Sequence, residues 1–344
     1  MAYSPEKYGR LRRVRWHREN KCLDNPGRIG KGKLIGNRYE VIRPLGRGGI
    51  GKVFLVKDTK RKKLRALKML RSKYQDNGRA MERFAREVQV VRQMNHSGIV
   101  KIFDARRDGE LLYYTMEYVE GKSIRAWMTE RGTLNFGSTV RVLALVADAL
   151  HYAHQSTIHR DISPENVMVQ ADGSIRILDF GLAKLTETNQ ALTMVGVSLG
   201  KLAYVAPEQR ISAKDVDHRT DIYPLGVMFH EMLTGKLPDI TTRFSELCPD
   251  LPKACDDLLA KTLAADPEDR YASAVEFRQD LVALYQTYST PGRNVETPDS
   301  EDDAVIKLED LPDGLKKKKA QGSLLYRFLN FSPNALWKWL RKKK

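Results

Sequence analysis

The chain has 344 residues, 42% hydrophobic and 30% charged, enough apolar material for two average domains or one large two-lobed domain with extensions. No apolar run approaches the roughly 18 residues that cross a bilayer. The opening MAYSPEKYGRLRRVRWHREN carries charge where an export signal needs an apolar stretch. Cys22, Cys248 and Cys255 are too few and too scattered for a disulfide framework or a zinc finger, and they set the expectation of a reducing, cytoplasmic setting.

The net charge of +16 sits in the two ends. Residues 1–38 hold 11 Lys and Arg against 3 Asp and Glu, and residues 315–344 hold 10 against none. The stretch between them, 39–314, holds 38 against 40. A nucleic-acid protein usually carries its positive stripe on the folded domain, so the charge does not make this one.

Strand-type alternation begins at Tyr39. YEVIRPLG, KVFLVKD and LRALKML read as three short strands. From about Gly78 the period turns helical, with Phe84, Val88 and Val91 at i, i+4, i+7. Two more strands are expected around IVKIFD and LLYYTMEYV, and after Gly121 the pattern is mostly helical. In STVRVLALVADALHYAH, the residues Leu143, Val146, Ala147, Leu150 and Ala153 form one apolar face. DIYPLGVMFHEMLTG is a second strong helix, stopped by Gly235 and Pro238, and SAVEFRQDLVALY closes the folded region near Tyr285. Strands first and helices afterwards predict an α+β chain with a small β-rich lobe and a larger helical lobe. The expected divisions are a basic extension at 1–38, a folded domain at 39–285 (lobes meeting near 119–120), an acidic polar linker at 286–314 and a basic, aromatic-rich tail at 315–344.

The turn Gly46-Arg47-Gly48-Gly49-Ile50-Gly51 is by itself compatible with a dinucleotide fold, a phosphate-binding hairpin or a plain glycine-rich hairpin. A dinucleotide site needs a helix directly after the glycines. Here the alternating Lys52-Val53-Phe54-Leu55-Val56 follows, so the glycines join two strands, and their amides can approach phosphates where no Cβ intervenes. Ala66-Leu67-Lys68 puts a lysine in an apolar strand, and nineteen residues on Glu87 lies beside the apolar face of the next helix. An ion pair between them would hold an ammonium against nucleotide phosphates.

His159-Arg160-Asp161 with Asn166, then Asp179-Phe180-Gly181, then Ala206-Pro207-Glu208 and Asp221 follow in order. Together with the glycine turn and Lys68, this resembles the eukaryotic-type protein kinases over about Tyr39 to Tyr285, 247 of 344 residues. The texture is most similar to bacterial Hanks-type serine/threonine kinases. The resemblance implies a two-lobed kinase fold, an ATP- and Mg²⁺-dependent (or Mn²⁺-dependent) reaction and Ser/Thr hydroxyls of proteins as acceptors. It implies Asp161 as the base, with Asn166 and Asp179 on the metal. Gly46, Gly48, Gly49 and Gly51 would cover the phosphates, and Lys68, paired with Glu87, would hold them. Val53, Ala66 and Met168 would sandwich adenine, Met116 would be the gatekeeper, and Glu117 and Val119 the hinge. His159 is expected as a packed residue, Glu208 with Arg270 as a structural pair, and His151 and His154 as core-facing or capping residues rather than metal ligands.

Two positions depart from the family. Ser163 stands where the family carries a lysine two residues after the base, and Lys201 stands where it carries a threonine in the segment before Ala206. One reading is an exchange, in which Lys201 supplies the ammonium and Ser163 the short polar partner, since the benefit is electrostatic. The other is two independent losses, leaving a nucleotide-binding pseudokinase scaffold. A small-molecule phosphotransferase on the same fold is a third reading, disfavoured by Arg160 and the Ala206-Pro207-Glu208 segment. Thr186, Thr188, Thr193 and Ser198 are candidate phosphorylation sites; Thr193 is preferred, with Arg160 as the residue that would receive its phosphate. The tail LKKKKAQGSLLYRFLNFSPNALWKWLRKKK joins basic clusters to Trp337 and Trp339. That suits an anionic membrane surface, and nearly as well RNA, an acidic partner, or a docked or solvated tail.

Overall fold

The computed structural model describes residues 29–47, 51–70, 78–108, 111–180, 199–212, 216–239 and 241–288. The first lobe is a six-stranded antiparallel sheet of β1 (Leu34–Ile35), β2 (Tyr39–Arg47), β3 (Gly51–Asp58), β4 (Lys63–Leu70), β5 (Ile102–Asp108) and β6 (Leu111–Met116). Its spatial order is β1-β2-β3-β4-β6-β5. Helix α1 (Gly78–Gln93) lies between β4 and β5 in sequence.

Both faces of this sheet are apolar, so period-2 alternation sorts residues between two cores rather than between core and water. In β4, Leu67 and Met69 join Tyr39, Phe54, Val56 and Tyr113 on the outer face. Ala66 and Leu70 join Phe84, Val88 and Val91 of α1 on the inner face. Lys68 therefore points inward by parity, toward the second lobe.

The second lobe opens with β7 (Gly121–Ser123), α2 (Ile124–Arg131) and α3 (Phe136–His154), followed by β8 (Val167–Gln170) and β9 (Ile175–Ile177). Then come α4 (Leu199–Leu202), α5 (Pro207–Ile211), a 3-10 turn at His218–Asp221, α6 (Tyr223–Thr234), α7 (Phe244–Leu247), α8 (Ala254–Thr262), a second 3-10 turn at Pro267–Asp269 and α9 (Ala274–Tyr288). The five apolar positions of α3 read from the sequence are all fully buried. Burying each of its Leu and Val side chains stabilises by about 1.5–3 kcal/mol. Helix α6 is apolar nearly all round and correspondingly buried from Pro224 to Met232. It ends where Gly235 adopts φ +72° and returns its N–H to Glu231 O at 2.8 Å.

Several elements differ from the sequence expectation. The strand expected at IVKIFD starts later, at Ile102, because Val100 instead donates to Ile177 O (3.0 Å) and Ile177 donates to Gly98 O (2.8 Å). These two bonds tie the first lobe to β9. The strand expected through Val119 stops at Met116. The strands β1, β7, β8 and β9, of two to four residues, are too short to show a period. The β7-β8-β9 sheet nevertheless matters, because it carries the loops that follow α3 and β9.

Candidate active site

The floor of the cleft is the loop from His159 to Asn166. Asp221, fully buried at the end of the 3-10 turn before α6, organises it by accepting from His159 N at 2.7 Å, Arg160 N at 2.6 Å and the His154 ring at 2.9 Å. Burial pushes the Asp221 carboxyl up, but the His154 hydrogen bond and charge, with His159, outweigh it and hold it below the usual carboxylate range. These bonds hold Arg160 in a left-handed conformation, φ +66°. Such a conformation is sparsely populated for a non-glycine residue and persists where the surroundings over-determine it. The turn leaves Asp161 at the lip, 28% exposed. Its carboxylate accepts from Asn166 Nδ2 at 3.0 Å, which also donates to Asp161 O at 2.6 Å. His159 is buried, its ring edge-on to Phe180 at 4.5 Å and bonded to Leu178 O at 2.8 Å. His154 faces Asp221, whereas His151 is exposed in the last turn of α3, so of the core-facing or capping roles expected it does not take the core-facing one.

Asp179 stands opposite the roof. It too is left-handed, φ +60°, and its Oδ2 accepts from Lys68 Nζ at 2.5 Å while Oδ1 accepts from Tyr114 Oη at 2.8 Å. Burial pushes this carboxyl up, but the Lys68 charge and the two hydrogen bonds outweigh it and hold it below its ordinary value. Burial, and then the Asp179 charge, push Tyr114 well above the ordinary phenol.

The ion pair expected between Lys68 and Glu87 is therefore not the one found: among the described residues, Lys68 pairs with Asp179. Glu87 is buried on α1 next to the apolar face, as read from the sequence. Sequence spacing along one lobe says nothing of the carboxylate that the other lobe brings within 2.5 Å. Tyr114 was not singled out from the sequence. Its signal was parity: it pairs directly with Lys68 across β4 and β6, so both face inward.

Around this centre, Ala66 and Met116 are register partners and both buried, and Val119 is buried beside them. Val53 and Met168 are partly buried against the same core. Glu117 N donates to Lys101 O at 2.8 Å, so its N–H is already engaged within the protein. Gly46 pairs with Val53 and opens onto free space. Gly51 is required sterically, because a Cβ there would come within 2.0 Å of Met69 O. Gly48, Gly49, Thr186, Thr188, Thr193 and Ser198 lie outside the described residues.

From the segment before α5, Lys201 Nζ reaches both Asp161 carboxylate oxygens at 2.8 Å. Ser163, two residues after Asp161, is fully buried. Below, Arg270 forks onto Glu208 with bonds of 2.8 and 2.7 Å and is itself fully buried. A cluster that the sequence did not announce joins Arg125 to Glu165 (2.7 Å), Glu231 (2.7 Å) and Tyr204 Oη (2.9 Å), with Tyr204 also bonded to Glu231.

Asp179 and Asn166 are the candidate hard-oxygen donors for a metal. The Asn166 amide nitrogen is engaged by Asp161, which leaves its carbonyl oxygen as the atom it could offer to a cation. Among the described residues no group of three or more His, Cys, Asp or Glu forms an all-protein metal cage. A carboxylate and an amide oxygen suit a divalent cation that takes its remaining ligands from phosphates and water.

The family model described as "Protein kinase domain" matches residues 39–281. The chain is 32% identical over 281 residues to the serine/threonine-protein kinase PknL of Mycobacterium tuberculosis, covering 77% of this chain and 70% of that one. It is 29% identical over 310 residues to the serine/threonine-protein kinase PrkC of Bacillus subtilis, covering 84% and 48%. It spans less than half the length of several relatives, down to 38%. The crystal structure of the Mycobacterium tuberculosis PknI kinase domain superposes with a TM-score of 0.62 at 29% identity, covering 74% of this chain and 99% of that one.

Proposed function

The chain belongs to the protein kinase family, and from that premise we propose that it transfers the γ-phosphoryl group of ATP to Ser or Thr hydroxyls of proteins. The observation that carries this reading is the convergence, at one cleft, of Lys68 on Asp179 and of Asn166 and Lys201 on Asp161.

The roles follow from what each group can do. Asp161, held by Asn166 and partly exposed, is placed to accept the proton of an incoming hydroxyl. Lys68 neutralises phosphate charge, and Ala66, Val53, Met116, Val119 and Met168 supply the apolar walls for the adenine ring. Asp179 and Asn166 would hold Mg²⁺, which supplies charge neutralisation across the phosphates. Asp179 stays ionised for that task because Lys68 and Tyr114 hold its carboxyl down. The pseudokinase alternative rested on a missing ammonium beside the base, and Lys201 weakens it.

Incubation with γ-labelled ATP and Mg²⁺, followed by phosphoamino-acid analysis, tests the acceptor class. Phosphoserine and phosphothreonine are expected, and label confined to phosphotyrosine, or absent, overturns the reading. Thr193 is the proposed autophosphorylation site, with Arg160 as receiver; peptide mapping of the labelled chain decides it. No described helix is long and apolar enough to cross a membrane. For residues 315–344 the basic and aromatic composition supports attachment to an anionic membrane surface, or else to an acidic partner. Salt-sensitive sedimentation with anionic vesicles, lost on deleting 315–344, would support the membrane reading.

A further inference from the structure

We propose that Lys201 is the ammonium that faces the transferring phosphate, taking over from the pre-α5 segment a task for which the catalytic loop offers only Ser163. This rests on the kinase reading above.

Three observations carry it. Lys201 Nζ lies 2.8 Å from both oxygens of Asp161, the carboxylate proposed above to accept the hydroxyl proton. The pair is not sealed: the two side chains are 39% and 28% exposed, so an incoming phosphate can reach the ammonium. Pairs this exposed add little to folding, which leaves the fold itself without a strong reason for the lysine. The segment holding Lys201 is also pinned. Tyr204 N donates to Lys201 O at 3.3 Å, and the Arg210 guanidinium bonds Leu202 O at 3.0 Å and Val205 O at 3.1 Å. The ammonium is therefore delivered by an ordered turn.

Ser163 is the complement. Its side chain is fully buried two residues from Asp161, where an ammonium could not stay charged without a partner. With Lys201 already on Asp161, a second cation there would compete for the same carboxylate.

In the transfer, the substrate hydroxyl gives its proton to Asp161. Its oxygen bonds to the γ-phosphorus as the bond from that phosphorus to the β–γ bridging oxygen breaks, and ADP leaves with that electron pair. Lys201 exchanges no proton. It offers fixed positive charge to the oxygens of the moving group, and such charge acts most strongly where water is thin.

The test uses the full chain and its Lys201→Thr, Lys201→Arg, Ser163→Lys and Ser163→Lys/Lys201→Thr variants, with Asp161→Asn as blank. Phosphate transfer is read beside calorimetric binding of magnesium ADP and of a magnesium-bound, non-hydrolysable ATP analogue. Lys201→Thr should lower kcat on the order of 100-fold. It should cut the preference for triphosphate over diphosphate about tenfold while leaving ADP affinity unchanged. Lys201→Arg should keep that preference, because it keeps the charge. The double variant should recover most of the loss, and Ser163→Lys alone should be worse than the double.

A Lys201→Thr variant matching the parent in both rate and triphosphate preference overturns the proposal, as does a rate loss with the preference intact. If the double variant does not fold, the two Lys201 single variants decide. A parent that neither binds nor transfers defeats the kinase reading, and this inference with it; an active parent indifferent to Lys201→Thr defeats this inference alone.

Discussion

Asp179 accepts from two donors on different strands, and the pair of bonds explains how a largely buried carboxylate stays charged. Replacing Tyr114 by Phe removes one of them without opening a cavity. The variant should lose about 1.5–3 kcal/mol of stability, as hydrogen bonds to charged groups do. Urea unfolding checks this, and a loss under about 0.5 kcal/mol would mean that Lys68 alone suffices. Lys68 shows how far single residues were legible. Its strand, its inward parity and its isolation among apolar neighbours were all readable. Its partner was not, because that partner lies 111 residues away on the other lobe.

At the scale of elements, the long periodic segments were legible and the short ones were not. Helices α3 and α6 declared themselves through the 3.6-residue period and a glycine stop, whereas β7, β8 and β9 are set by the loops they flank. Two element-level contacts give predictions. Arg38 forks onto Asp58 at 2.9 and 2.7 Å, bracing the start of β2 against the end of β3. The Arg38 hydrogen bond lowers the Asp58 carboxyl from 3.8 to about 2. Since the folded value is the lower one, the stabilisation is complete above about pH 4 and disappears as pH falls through about 2. Asp58→Asn should therefore be less stable than the parent at pH 6, with the gap closing toward pH 2 in urea midpoints. A gap that is constant with pH would contradict the assignment. The Glu208–Arg270 fork joins α5 to the loop before α9. Glu208→Ala leaves a fully buried guanidinium without its carboxylate, and should cost about 3–5 kcal/mol by denaturant unfolding. A cost near that of a surface substitution would mean that the carbonyls of Ala264 and Ala265, which also accept from Arg270, are sufficient.

For the molecule as a whole, the two lobes meet along the Gly98–Val100 and Ile177 backbone bonds and across the Lys68–Asp179 pair. The groups of the candidate site are thus split between them: Lys68 and Tyr114 belong to the sheet, while Asp161, Asn166, Asp179 and Lys201 belong to the helical lobe. This division makes the cleft, rather than any one loop, the candidate site, and it explains why motif order along the sequence is a better guide to which residues meet there than any local pattern. The most direct test is transfer of labelled γ-phosphate from magnesium ATP to a generic basic protein, comparing the parent with Asp161→Asn. The account predicts transfer by the parent, abolished by chelating the metal and reduced about 10²- to 10⁴-fold in the variant. Equal label in the two proteins, or none in a parent that binds the nucleotide, would contradict it.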